Sequence, residues 1–120
     1  MGRRRTEARK QKLGERSSGS VAVAPAPALD PIETLIARSR RERARGDSRR
    51  ALVLLREACA LDEWRARSWT LLGASLARSG ANEEARQAFN HARWLRARAG
   101  DQGRAAVTAR LADQLIASAA

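Results

Sequence analysis

Catalytic chemistry has little to work with in this chain, which holds one histidine, one cysteine and no tyrosine among 120 residues. An acid–base site needs several polar groups converging on one point, and His91 has no companion histidine. Cys59 cannot form an internal disulfide, and its position beside Ala58 predicts an inert, half-buried thiol in a reducing, cytoplasmic setting. The acidic doublets Asp62-Glu63 and Glu83-Glu84 fall at a turn and at a helix start, where turn formation and the helix dipole account for them. The glycines are scattered as turn, tail and close-packing residues and form no phosphate loop. No enzyme, metal or cofactor is expected. Nor does any apolar run approach the roughly 20 residues of a membrane span.

What is present is a period. Shifted by 34 residues, Gly46 falls on Gly80, Ala51 on Ala85, Ala58 on Ala92 and Leu61 on Leu95. Leu35, Ser39 and Leu55 fall on Trp69, Gly73 and Phe89, pairs alike in size or polarity. Such self-similarity marks a helical repeat array, an architecture that binds more often than it catalyses. In the second copy Trp69, Leu72 and Leu76 recur at helical spacing, and Gly73 removes a side chain where a neighbouring helix must come close. Gly80 then ends the helix, and Ala85, Phe89 and Ala92 form a small, large, small seam on the next one.

This pattern resembles the tetratricopeptide repeat. The resemblance covers repeat 1 at 32–65 and repeat 2 at 66–99, and it implies an all-α, short helical-hairpin solenoid. The first copy departs from the pattern, since Arg38 and Glu42 stand where the second has Leu72 and Leu76. An i, i+4 ion pair there contributes only about 0.3–0.5 kcal/mol, far less than two buried leucines, so the first hairpin is expected to be the looser.

The folded part, 30–120, should begin at Asp30-Pro31-Ile32-Glu33, which reads as an N-cap, a first-turn proline and a capping-box glutamate. Expected helices are 31–45, 49–61, 65–79, 83–98 and 102–118, with Ser48, Asn82 and Asp101 as further N-caps. The last, a capping helix over 101–118, carries Val107, Leu111 and Leu115 on one stripe with Ala112 and Ile116 beside it, and should close the apolar end of the second hairpin. Two repeats and a cap lie near the minimum for independent stability, so a homodimer is compatible with the reading.

The resemblance also implies a concave groove lined by the first helix of each hairpin. Its lining would be Glu33, Ile36, Arg40 and Arg43 from one helix and Arg67, Thr70, Ala74 and Arg78 from the other. That surface is basic with apolar patches and suits an acidic or C-terminal peptide segment of a protein partner. Ile36 and Arg40 stand where the family's chaperone-tail clamp has a Lys and Asn pair, so that clamp is not expected. His91 and Glu57 occupy equivalent places and should face solvent. Among the tryptophans, Trp64 and Trp69 read as packing residues and Trp94 as the one available for an interface.

Residues 1–29 differ in kind. Arg3, Arg4, Arg5, Arg9, Lys10, Lys12 and Arg16 face only two acidic residues, and an Ala/Pro stretch follows, so a disordered basic arm is expected. It lacks the apolar core of a secretory signal, and although Gly2 to Thr6 fits a myristoylation pattern, lipidation is not expected. A net charge of +11 allows an alternative function, a nucleic-acid-associated protein whose repeats serve as scaffold or dimerisation unit. No aromatic residue interleaves the arm's arginines, so any such contact would be nonspecific. The excess of arginine over lysine also fits compositional bias alone. The two origins of the charge separate in a salt titration of polyanion binding. For an arm that docks, changing Arg3, Arg4, Arg5 and Arg9 to Gln lowers the slope of log affinity against log salt by about three, and for merely solvated charge it leaves the slope unmoved.

Overall fold

In the computed structural model, which describes residues 29–119, every regular element is an α-helix. The helices are α1 (Pro31–Ala44), α2 (Ser48–Leu61), α3 (Ala66–Arg78), α4 (Asn82–Arg98) and α5 (Gln102–Ala119). No strand occurs among the described residues. The basic residues of the arm, all within 1–28, lie outside them.

Three tight turns reverse the chain with one geometry. After α1, the Gly46 amide donates to the Arg43 carbonyl at 3.0 Å and the Asp47 amide to the Glu42 carbonyl at 2.9 Å. After α3, Gly80 donates to Ala77 at 3.1 Å and Ala81 to Leu76 at 3.0 Å. These paired bonds satisfy the last carbonyls of each helix and require a left-handed residue, which Gly46 and Gly80 supply at φ +91° and +84°. The same bonds recur after α4, from Gly100 to Ala97 and from Asp101 to Arg96. The junction between hairpins is built otherwise: the Asp62 carboxylate accepts the Trp64 amide at 3.0 Å, a local turn that starts α3 without a side-chain cap.

Two of the expected N-caps shift. Asp47, not Ser48, caps α2, its Oδ1 accepting the Arg50 amide at 2.9 Å, and Ser48 is the first helical residue. Ala81 precedes α4 with no side-chain cap, and Asn82 lies within the helix, its Oδ1 buried without a partner. Asp101 does cap α5, accepting the Arg104 amide at 3.0 Å. Glu33 also accepts a hydrogen bond from Arg67 on α3.

The core is densest between α3 and α4. A Cβ placed on Gly73 would lie 3.0 Å from three atoms of the Phe89 ring, which is itself fully buried. Ala85, Ala88 and Ala92 flank Phe89 on α4, and Leu72, Leu76 and Ala77 close over it from α3. The first hairpin repeats the seam with Ala51, Leu55 and Ala58. The backbones of α1 and α3 stay farther apart than those of α3 and α5, and Arg38 and Glu42 lie outside the core. Glu42 pairs with Arg45 at 3.4 Å rather than with Arg38.

Helix α5 covers α4 and part of α3, and of the expected stripe Leu111, Ala112, Leu115 and Ile116 pack against the core while Val107 does not. Ala105, Thr108 and Ile116 are its buried residues, whereas Val107 is 52% exposed. Thr108 can be buried because its hydroxyl is saturated, accepting from Arg96 at 2.6 Å and donating to the Arg104 carbonyl at 2.8 Å. No helix of the described residues is long and apolar enough to cross a membrane.

The close approach at Gly73 sets an ordering of variants. Gly73→Leu drives a side chain into Phe89, whereas Ser39→Leu projects beside a small cleft that can accept part of it. Thermal melts should show the larger loss for Gly73→Leu, on the order of 3 kcal/mol or more, and a smaller one for Ser39→Leu.

Candidate functional site

Five of the eight residues expected to line a groove surround one cleft of about 70 Å³ between α1, α2 and α3: Ile36, Arg40, Arg43, Ala74 and Arg78. Ile36 is 1% exposed and Ala74 is buried, so both belong to the floor rather than offering an apolar surface, a correction to the expectation. The reason is the α1 stripe: Ile32, Leu35, Ile36 and Ser39 share the face turned inward. Ser39, whose hydroxyl donates to the Ile36 carbonyl at 2.7 Å, and Leu55 complete that floor.

The rim is cationic. Arg40, Arg43 and Arg78 have no carboxylate partner among the described residues, and no acidic side chain lines the cleft. Partial burial pushes the Arg78 pKa below the ordinary arginine value, and the neighbouring Arg43 charge pushes it further the same way.

The other three expected groove residues do not reach the cleft. Arg67 is held by Glu33 in a two-pronged bond, Nε at 2.8 Å and one terminal nitrogen at 3.1 Å, and Arg65 approaches the same carboxylate at 3.9 Å. The hydrogen bond that Arg67 donates to Glu33 is the largest effect on its pKa and raises it, with burial opposing. Thr70 donates back to the Ala66 carbonyl at 2.9 Å. This end of α1 and α3 is a strut between hairpins, contributing about 0.2–1 kcal/mol as an exposed pair.

A second concentration lies at the N-terminal end of α3. The rings of Trp64 and Trp94 stand 6.2 Å apart, Trp94 and His91 5.9 Å apart, and His91 meets Trp69 edge-on at 4.6 Å. The Glu63 carbonyl accepts the Trp69 indole N–H at 2.9 Å and lies 3.3 Å from His91 Nε2. His91 is therefore a packed member of an aromatic strip, not a free solvent-facing residue. Trp64 is the most exposed of the three tryptophans at 66%, contrary to its reading as a packing residue, and Trp94 is 49% exposed. Spacing along the chain could not show this strip, because its members come together only when α4 stacks over the α2–α3 turn.

Next to the strip, Arg56, Cys59, Trp69, Leu72 and His91 border a second cleft of about 430 Å³. Cys59 is 3% exposed, more buried than its position suggested. Among the described residues no group of three or more His, Cys, Asp or Glu side chains could hold a metal ion. The chain matches no family model, and no curated protein matches it.

Burial, opposed weakly by Arg56, pushes the Cys59 thiol up to about 11. The folded state thus favours the neutral thiol, and that contribution is complete below pH 9.0 and lost as pH rises through about 11. Urea unfolding midpoints should fall across this window for the native sequence and fall less for Cys59→Ala. At neutral pH the thiol should react with iodoacetamide only after the fold is opened.

Proposed function

We propose that the chain is a non-catalytic, tetratricopeptide-like binding module that holds an acidic, carboxylate-bearing segment of a partner protein at the cleft between its two hairpins. One observation carries the reading: Arg40, Arg43 and Arg78 converge on an apolar-floored cleft with no carboxylate to neutralise them. The fold pairs some of its helix-to-helix cations, as in Glu33–Arg67 and Glu84–Arg56, whereas these three face one cleft with no carboxylate among the described residues. Crowding Arg78 against Arg43 in a partly desolvated place opposes folding, and an arriving carboxylate relieves that opposition while making charge-assisted hydrogen bonds. The cleft is too small for a folded ligand. A side chain or chain terminus fits it, with the rest of the segment lying along α1 and α3. The repeat periodicity, the three like-built turns and the Gly73–Phe89 contact support the family resemblance.

Charge reversal tests the reading. Arg40→Glu combined with Arg78→Glu should weaken binding of acidic peptides with a free C-terminal carboxylate by about a hundredfold, as expected for two lost charged hydrogen bonds. Since the carboxylate introduced at position 78 would face Arg43, the melting temperature should hold or rise. Fluorescence anisotropy with peptide and amidated control measures the first, and circular dichroism the second. Undiminished binding with an intact helical signal would place the contact elsewhere.

A further inference from the structure

The aromatic strip lies at the opposite end of α3 from the cleft and takes no part in it. It is built rather than accidental: the Trp64 amide is held by the Asp62 carboxylate, and Trp69 and His91 are both anchored on one carbonyl, that of Glu63. Two tryptophans nonetheless remain about half or more exposed, an unusual outlay of apolar ring surface at a turn and a helix side. Trp64 and Trp94 are tilted by 35° to each other, with His91 stacked beside Trp94.

Arg98 decides what such a surface can accept. Its guanidinium carbon lies 5.3 Å from the Trp94 ring centre and 5.9 Å from that of Trp64, and it has no carboxylate partner among the described residues. A cationic ligand is disfavoured, because Arg98 already takes the cation–π position and would repel it. A neutral proline-rich peptide could use the rings but would leave Arg98 unanswered. A planar, polyanionic ligand answers both, with bases stacking on the indoles and phosphates meeting Arg98 and Arg93, which neighbours Trp94 on α4 and also lacks a carboxylate partner among the described residues. The net charge of +11 is complementary to the same ligand.

We infer that Trp64, Trp94 and Arg98 form a stacking platform for single-stranded nucleic acid, reading no particular sequence. The platform is independent of the peptide cleft. Its signature is a dependence on bases, which the purely electrostatic contacts of a basic arm do not share, because an abasic strand keeps every phosphate.

The test titrates the full chain with a labelled oligothymidylate and with an abasic strand of equal length, at several salt concentrations. The base-bearing strand should bind about tenfold more tightly and quench tryptophan fluorescence. Trp64→Ala and Trp94→Ala should each remove most of that ratio, and Trp94→Phe should preserve it, separating stacking from a loss of fold. Arg98→Gln should lower the salt slope by about 0.7. Arg40→Glu with Arg78→Glu should leave the ratio unchanged. Equal affinity for the two strands would overturn the inference, as would quenching by an oligoproline peptide but not by the strand.

Discussion

The contact of the Phe89 ring with the bare backbone face at Gly73 sets the distance between α3 and α4, and much of the remaining structure is referred to it. With no side chain at 73, the helices come close enough for Ala85 and Ala88 to share one core with the leucines of α3. The fixed pair then offers a surface on which α5 lies, held by Ile116 and the saturated Thr108. It also fixes where His91 and Trp94 stand relative to Trp69 and Trp64, on which the aromatic strip depends. A ring seated against glycine tolerates little adjustment, since a dense interior transmits strain rather than absorbing it.

The first hairpin is joined to this unit less tightly, and the candidate cleft follows from that looseness. At the positions of Leu72 and Leu76, α1 carries Arg38 and Glu42, which cannot fill an interior. The Glu33–Arg67 strut holds one end of α1 against α3, while toward the other end Arg40, Arg43 and Arg78 crowd together and keep the rim open. Opposite electrostatics at the two ends of one helix pair thus separate a structural contact from the proposed binding surface. The described residues hold seventeen arginines and eleven acidic residues, so an excess of cations is unavoidable, and their placement is the informative quantity.

Much of this is legible in the sequence because repetition reports on packing twice. The 34-residue shift aligns the turn glycines and the alanine seams, and the helix boundaries follow within one or two residues. Gly73 can be read as a close approach because the pattern around it is apolar on both sides. Caps are harder: Asp47 and Ser48 are both good capping residues, and only the backbone geometry distinguishes them. Most of the inner face of α5 is legible as its apolar stripe, but Thr108 is not, because it is polar and its burial depends on the partner Arg96 from another helix. Helical phase alone places the groove residues, and it cannot tell that Glu33 neutralises Arg67 or that Ile36 turns inward. The aromatic strip is beyond reach, since Trp64 and Trp94 are separated in sequence and follow no common period.

The central claim is that a carboxylate-bearing segment settles at the arginine rim between the hairpins. Its most direct measurement is an NMR titration of the full chain with an acidic peptide, following backbone amides and arginine side-chain Nε–H signals together. The account predicts saturable shifts centred on Arg40, Arg43 and Arg78 and on the backbone around Ser39 and Ala74, with Arg67 and the indole signals of Trp64 and Trp94 unmoved. Shifts centred on the Glu33–Arg67 strut, on α5 or on the aromatic strip, with the rim arginines silent, would contradict it.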